Sequence, residues 1–185
     1  EDQRHHIELA RDIAQRFNHR FGPVFTLPRA MLPPVAARVM DLQEPTRKMS
    51  KSTATERGII HVLDDPDAIA AKFRSAVTDS DGEVRPDRAA KPGVTNLLEI
   101  LAAVTGTDVE AAAAAHAGGG YGALKAAVAE AVVEHLRPIR ERHTELAADP
   151  GEVQRLLAAG AERARAVAAP TFERARDAMG FLAPA

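Results

Sequence analysis

The chain has 185 residues, of which 45% are hydrophobic and 27% charged, so it can form one domain or two small ones with a buried core. Because it contains neither an apolar run near eighteen residues nor an apolar stretch at its start, we expect no membrane span and no signal peptide. Zero cysteines exclude disulfides and thiolate zinc sites. A cytoplasmic location is the expectation.

Charge is distributed unevenly along the chain. The net charge is only -2, which argues against a globally basic nucleic-acid binder and against DNA binding. Residues 1–58 nevertheless hold 10 basic and 7 acidic side chains, whereas residues 59–185 hold 14 and 19. The first segment is therefore the better anion binder, and any contact with RNA must be local.

The first elements predicted are a helix and a proline-rich segment. Apolar residues at helical spacing predict an amphipathic helix over residues 2–18. Five of the twelve prolines then follow within about twenty residues, so we expect short extended pieces at 24–27 and 38–42. The polar stretch 50–55 predicts a surface loop, and the apolar stretch 58–63 predicts a short strand or a packed connector.

Helices dominate the rest of the chain. A capping carboxylate at Asp64 or Asp65 before a proline predicts a helix over 66–77. Two further helices are expected to follow, one to residue 104 and one to residue 117. Their candidate caps are Thr95 or Asn96 for the first and Thr107 or Asp108 for the second.

Two long helical regions are predicted after the glycine-rich segment 118–122, which we interpret as a helix stop. An apolar stripe predicts a helix from about residue 124 to 148, kinked at Pro138. The last helical region covers 153–179, with an interruption at Pro170. The stripe consists of Leu124, Val128, Val132, Leu136 and Ile139.

The strongest chemical signal is the pentapeptide Lys48-Met49-Ser50-Lys51-Ser52. Two lysines three residues apart, separated by small hydroxyl residues in a flexible loop, can surround an oligophosphate and neutralise charge on a leaving pyrophosphate. This pattern indicates nucleotidyl transfer, with a solvated basic loop as the alternative interpretation.

The same pentapeptide is the signature of class I aminoacyl-tRNA synthetases, and the opening EDQRHHIELARDI resembles the corresponding segment of the bacterial tryptophanyl-tRNA synthetases. The resemblance extends over essentially the whole chain. Further matching segments are 39–42, 44–46, 63–66, 75–80, 91–94, 96–98 and 120–122.

The resemblance implies the carboxy-terminal half of such an enzyme. The fold class is then mainly α, with residues 1–58 as the end of a Rossmann-like α/β catalytic domain and residues 59–185 as an all-helical bundle domain that binds the tRNA anticodon. The family's amino-terminal half, with its His-Ile-Gly-His type phosphate motif, has no counterpart here. The chain also begins at Glu1 without a methionine, so we expect it to be part of a longer protein and to be inactive alone.

The resemblance also implies the site residues and ligands. The predicted catalytic residues are Lys48 and Lys51, and Gln3 is predicted to approach the tryptophan amino group. The predicted ATP-binding residues are Glu1, Asp2, Val39, Lys48, Met49, Ser50, Lys51 and Ser52. ATP carries Mg²⁺, the RNA partner is tRNA(Trp), and the family is a cytoplasmic homodimer.

Two alternatives remain open. A tyrosyl relative shares the class I chemistry, although the residues from His6 to Leu9 argue against it. A non-catalytic helical module that binds RNA or serves as a scaffold would not need the lysine loop. We predict no metal site, since the adjacent His5 and His6 diverge on a helix. The arginines at 137, 140 and 142 could meet RNA, although a solvated face is favoured.

Overall fold

The computed structural model describes residues 3–32, 38–51 and 55–182, and this part of the chain is mainly helical, as predicted. Its pairing outside helices consists of two isolated antiparallel bridges, Met40 with Lys48 and Asp87 with Lys91. The helices are α1 (Arg4–Phe21), α2 (Pro66–Arg74), α3 (Pro92–Thr105), α4 (Val109–His116), α5 (Gly120–Ala148) and α6 (Pro150–Ala178).

The chain divides into two compact units, one formed by residues 1–32 with 145–185 and the other by residues 33–144. The predicted boundary at residue 58 concerns a different division, between a Rossmann-like part and a helical part, and it stays a prediction.

The first unit contains α1, whose prediction is confirmed and which extends to Phe21. The helix ends because Gly22 takes a positive φ of 93°. The Asn18 side chain then accepts from the backbone N–H groups of Val24 (3.0 Å) and Phe25 (2.9 Å). The segment 24–27 is accordingly a connection outside any helix or strand that is held by Asn18, and the short extended piece expected there stays a prediction.

The last helix, α6, also belongs to the first unit, and the predicted interruption at Pro170 is wrong. Asp149 caps the helix by accepting from the Glu152 N–H at 3.0 Å, and Pro150 occupies the first turn. The helix continues through Pro170. A proline removes one backbone donor, and a long helix can bend around that loss without ending.

The second unit contains the main hydrophobic core. Its buried side chains come from the segment around residue 42, from α2, α3 and α4, and from the first half of α5. The predicted stripe of α5 is confirmed for Leu124, Val128 and Val132, but Ile139 is 47% exposed. The helix runs uninterrupted past Pro138. The fully buried members, below 2% exposure, include Leu42, Ile69, Phe73, Val94, Leu97, Leu98, Leu124 and Val128.

Two of the predicted caps are confirmed, because their chemistry is local. The Asp65 carboxylate accepts from the Asp67 N–H at 2.9 Å, and the Asp108 carboxylate accepts from the Ala111 N–H at 2.6 Å. The stretch 58–63 is a packed connector, with Gly58 and Ile59 buried.

The predicted caps of α3 are wrong. The helix begins at Pro92, so Thr95 and Asn96 lie inside it, where both are buried. This early start depends on Gly93, because an added Cβ would overlap the backbone carbonyl of Val77. The hydroxyl of Thr95 instead accepts from the Asp87 N–H at 2.8 Å and donates to the Lys91 carbonyl.

A buried lysine precedes α3. Lys91 is 1% exposed, and its ammonium donates to Asp79 (3.1 Å), to Asp81 and to the Tyr121 hydroxyl (3.0 Å). That hydroxyl also lies 2.8 Å from the Asp81 carboxylate and within hydrogen-bonding distance of Asp79. We call these four residues the Lys91 cluster. It joins the loop 79–81 to the starts of α3 and α5.

The charged forms of the cluster are stabilised by the hydrogen bonds that its members make to one another. Burial alone would lower the pKa of Lys91, but hydrogen bonds to Asp81, Tyr121 and Asp79 hold that pKa above its usual value. The hydrogen bond from Lys91 lowers the pKa of Asp81 most strongly. Burial and the hydrogen bond to Asp79 raise the pKa of Tyr121 to about 12.

Tyr121 is the only tyrosine and the chain has no tryptophan, so its ionisation can be followed by tyrosinate absorbance. We expect the pKa of Tyr121 in the folded chain to be about 12, against about 10 for a tyrosine in an unfolded chain. Because the folded state favours the neutral phenol, this contribution to stability is complete below the unfolded pKa and is lost as pH rises through the folded value.

The matched variants should move this pKa in opposite directions. Asp79→Asn should lower the pKa of Tyr121, whereas Lys91→Met should raise it, and circular dichroism reports whether the chain is still folded. A folded wild-type chain that titrates near 10 would show that the cluster does not form.

Candidate functional site

The lysine pentapeptide begins on one arm of a short antiparallel pairing. The Asp41 N–H donates to the Arg47 carbonyl at 2.8 Å, and the Met49 N–H donates to the Val39 carbonyl at 3.0 Å. Met40 and Lys48 lie opposite each other between these two bonds. The structure therefore brings together Val39, Lys48 and Met49, which were three of the predicted ATP-binding residues.

The turn between the two arms is closed by local hydrogen bonds. The Asp41 carboxylate accepts from the N–H groups of Gln43 (2.7 Å) and Glu44 (3.0 Å). Arg47 pairs with the Glu44 carboxylate at 2.7 Å, and the side-chain hydrogen bond of this pair raises the pKa of Arg47. The positive charge next to the pentapeptide is thus partly balanced within the turn.

The base of the pairing is fixed to the core. Leu42 is 1% exposed, and its backbone accepts from the Val77 N–H at 2.8 Å and donates to the Gly58 carbonyl at 3.0 Å. Gly58 is required there because an added Cβ would overlap the Asp41 carboxylate. The side chains of Val39 and Met49 are half-buried against the same core.

The pentapeptide has two half-buried residues between its two exposed lysines. Met49 and Ser50 are half-buried, whereas the side chains of Lys48 and Lys51 are exposed. Ser52, the last predicted contact, lies outside the described residues. Two exposed lysines three residues apart, the first of them in a hydrogen-bonded pairing, can bind an anion such as a polyphosphate.

The other predicted ligand contacts are at the amino end. Glu1 and Asp2 lie outside the described residues, and Gln3 is exposed directly before α1. Close to it, hydrogen bonds from Arg4 and His5 lower the pKa of Glu8. His5 therefore has a carboxylate partner, at 3.3 Å, in its own helix. Within the ranges described, no group of three or more His, Asp or Glu side chains could hold a metal ion.

Two of the arginines considered for RNA binding, Arg137 and Arg140, make contacts within their own helix. Arg137 pairs with Glu134 at 2.7 Å and with Glu141 at 3.1 Å. Arg140 donates to the Val133 carbonyl at 3.2 Å. Arg137 is exposed, as a solvated face requires, whereas Arg140 is half-buried, so the interpretation of these arginines stays a prediction. None of the helices in the described part of the chain is long and apolar enough to cross a membrane.

Sequence reasoning missed the polar side chains that anchor these elements. Asn96 was interpreted as a helix cap, and neither Lys91 nor Tyr121 was given a structural role of its own. In the structure Asn96 is 2% exposed and pairs with the backbone of Met40. The available signal was that Lys91, Asn96 and Tyr121 all lie in segments that resemble the synthetase family. The fold was needed to identify the partners of these three residues.

Comparison with known proteins gives consistent matches. The family described as tRNA synthetases class I (W and Y) matches residues 1–137. The tryptophan–tRNA ligase 1 of Streptomyces coelicolor is 56% identical over 184 residues, which are 100% of this chain and 54% of that protein. The chain thus spans about half the length of the curated relatives it matches.

Solved structures agree with these sequence matches. The tryptophanyl-tRNA synthetase of Mycoplasma pneumoniae superposes with a TM-score of 0.86 at 34% identity, covering 98% of this chain and 56% of that one. The Campylobacter jejuni enzyme complexed with ADP and tryptophan gives a TM-score of 0.66 at 28% identity, covering 98% and 55%. The chain belongs to the class I tRNA synthetase family of the tryptophan and tyrosine type.

Proposed function

We propose that the protein containing this chain is a tryptophan–tRNA ligase. Tryptophan carboxylate attacks the α-phosphorus of ATP, the bond to the bridging oxygen of the β-phosphate breaks, and pyrophosphate leaves. The tryptophanyl group of the resulting adenylate is then transferred to tRNA(Trp), releasing AMP. The observation that supports this most directly is the anchored pairing that ends in exposed Lys48 and Lys51.

Lys48 and Lys51 are the proposed catalytic residues. Negative charge accumulates on the departing pyrophosphate, and two ammonium groups close to it stabilise that charge. Met49 and Ser50, with Ser52, complete the phosphate contact, and Val39 provides backbone toward adenine. Mg²⁺ that travels with ATP would bind the phosphates as part of the substrate.

The amino end supplies the remaining proposed contacts. Glu1 and Asp2 would lie against ATP, and Gln3 would approach the tryptophan amino group. A solved relative that holds both ADP and tryptophan supports a site for these two ligands in the complete protein. We also propose that residues 59–185 meet the tRNA anticodon and that the complete protein is a cytoplasmic homodimer.

The isolated chain of 185 residues should form no adenylate. Its relatives are nearly twice as long, and the part not represented here would supply the other phosphate motif and most of the tryptophan pocket, so the reactants are not positioned. The assay is tryptophan-dependent exchange of labelled pyrophosphate into ATP. Exchange by the pure chain would contradict this prediction.

In a full-length protein that carries residues 1–185, Lys48→Ala or Lys51→Ala should lower the single-turnover rate of adenylate formation about a hundredfold, because a donor directed at the leaving group is lost. The dissociation constant of ATP should change much less, since this stabilisation develops in the transition state. Rapid quench with radiolabelled ATP measures both quantities.

Arg47→Ala is the matched control. It removes a positive charge next to the pentapeptide, but that charge is already paired with Glu44, so we expect less than about a twofold change in rate. A lysine variant that mainly weakened ATP binding and kept its rate would make the lysines binding determinants and refute their proposed catalytic role.

A further inference from the structure

We infer that Asn96, a side chain of helix α3, is a positioning residue for the lysine pentapeptide. This inference rests on the proposed function. Asn96 is 56 residues away from Met40 in sequence and is 2% exposed, so its contact is a buried long-range one. Its Oδ1 accepts from the Met40 N–H at 3.0 Å, and its Nδ2 donates to the Met40 carbonyl at 2.9 Å.

The pattern of the pairing explains why Met40 needs this partner. In an antiparallel pair, residues between two neighbouring sets of bonds form a non-hydrogen-bonded pair, and their own N–H and C=O groups point away from each other. Met40 and Lys48 are such a pair, since the bonds on either side join Asp41 to Arg47 and Val39 to Met49. The backbone groups of Met40 therefore face away from Lys48, toward α3.

The Asn96 amide takes the place of a third strand. A primary side-chain amide presents its C=O and one N–H bond on the same side, as a single residue of a neighbouring strand does, so it can satisfy both groups of Met40 at once. Met40 is half-buried, and its N–H and C=O would otherwise lose hydrogen-bond partners inside the protein. Across the pairing, Met40 lies opposite Lys48, one of the proposed catalytic lysines.

Helix α3 is itself held firmly. Gly93 lets its first turn pack against the backbone of Val77, and Lys91 ties its start to Asp79 and Tyr121. Through its two hydrogen bonds to Met40, the amide of Asn96 therefore fixes the position of the pairing in which Lys48 lies, relative to the core. A shift of a lysine by about 1 Å is enough to lower a rate substantially, because the ammonium must meet charge that develops at one place.

The test uses a full-length protein that carries residues 1–185. Asn96→Ala removes both bonds to Met40, and Asn96→Asp keeps the shape but replaces the donor with a carboxylate facing the Met40 carbonyl. Each should lower the single-turnover rate of adenylate formation about tenfold with little change in ATP affinity. The matched control is Thr95→Val, an adjacent, equally buried position whose hydroxyl bonds to Asp87 and Lys91.

A double-mutant cycle separates positioning from general destabilisation. In a Lys48→Ala background, Asn96→Ala should cost less than about twofold, because the lysine whose arm Asn96 fixes is already absent. An equal tenfold loss in both backgrounds, or a Thr95→Val variant as slow as Asn96→Ala, would overturn the inference.

Hydrogen exchange supplies a second measurement that does not depend on activity. The Met40 amide should exchange slowly in the wild-type protein, and residues 38–51 should exchange faster in Asn96→Asp than in Thr95→Val. Rapid exchange of the wild-type Met40 amide would overturn the inference even if every variant failed to fold. A wild-type protein without tryptophan-dependent exchange of pyrophosphate would instead refute the proposed function, leaving the hydrogen-exchange result to decide the role of Asn96.

Discussion

The beginning of helix α3 is the constraint on which the second unit depends. Within six residues, Lys91 binds two carboxylates and a phenol, Gly93 admits the backbone of Val77, and Asn96 pairs with Met40. A buried ammonium or amide is costly unless its hydrogen bonds are made, so these side chains are compatible with only one placement of their partners. The helix is thus held in register by polar groups, while its apolar residues supply the burial.

A buried ion pair is weak evidence for stability, because desolvation offsets much of the attraction between the charges. The Lys91 cluster is better understood through specificity. An apolar core of similar volume would tolerate small slides of α3 against its neighbours, whereas Lys91 must meet Asp79, Asp81 and Tyr121 together. Such slides would move Asn96 and with it the arm of the pairing that leads to Lys48.

The sequence predicted well those features whose causes are local. Asp65 and Asp108 cap helices because each carboxylate accepts a hydrogen bond from an N–H group no more than three residues away. Asn96 has the same capping chemistry but a partner 56 residues away, so local pattern assigned it the wrong role. Pro170 likewise misled the prediction, because a proline considered alone favours a break, whereas a long helix accommodates the loss of one backbone donor.

The candidate site also combines a local feature that the sequence shows with distant contacts that it does not show. The lysine pentapeptide could be recognised from sequence because its chemistry lies in five consecutive residues, whereas its anchors come from Leu42, Gly58 and Asn96, which only the fold brings together. This division follows from what the proposed reaction demands. Ammonium groups that stabilise a leaving group must stay accessible to ATP, so they cannot be buried, and their position must be set by the backbone beneath them. An exposed motif on a buried, hydrogen-bonded base meets both demands. The position of the lysines then depends on Leu42, Gly58 and Asn96, which carry no charge and are not proposed to touch the substrate.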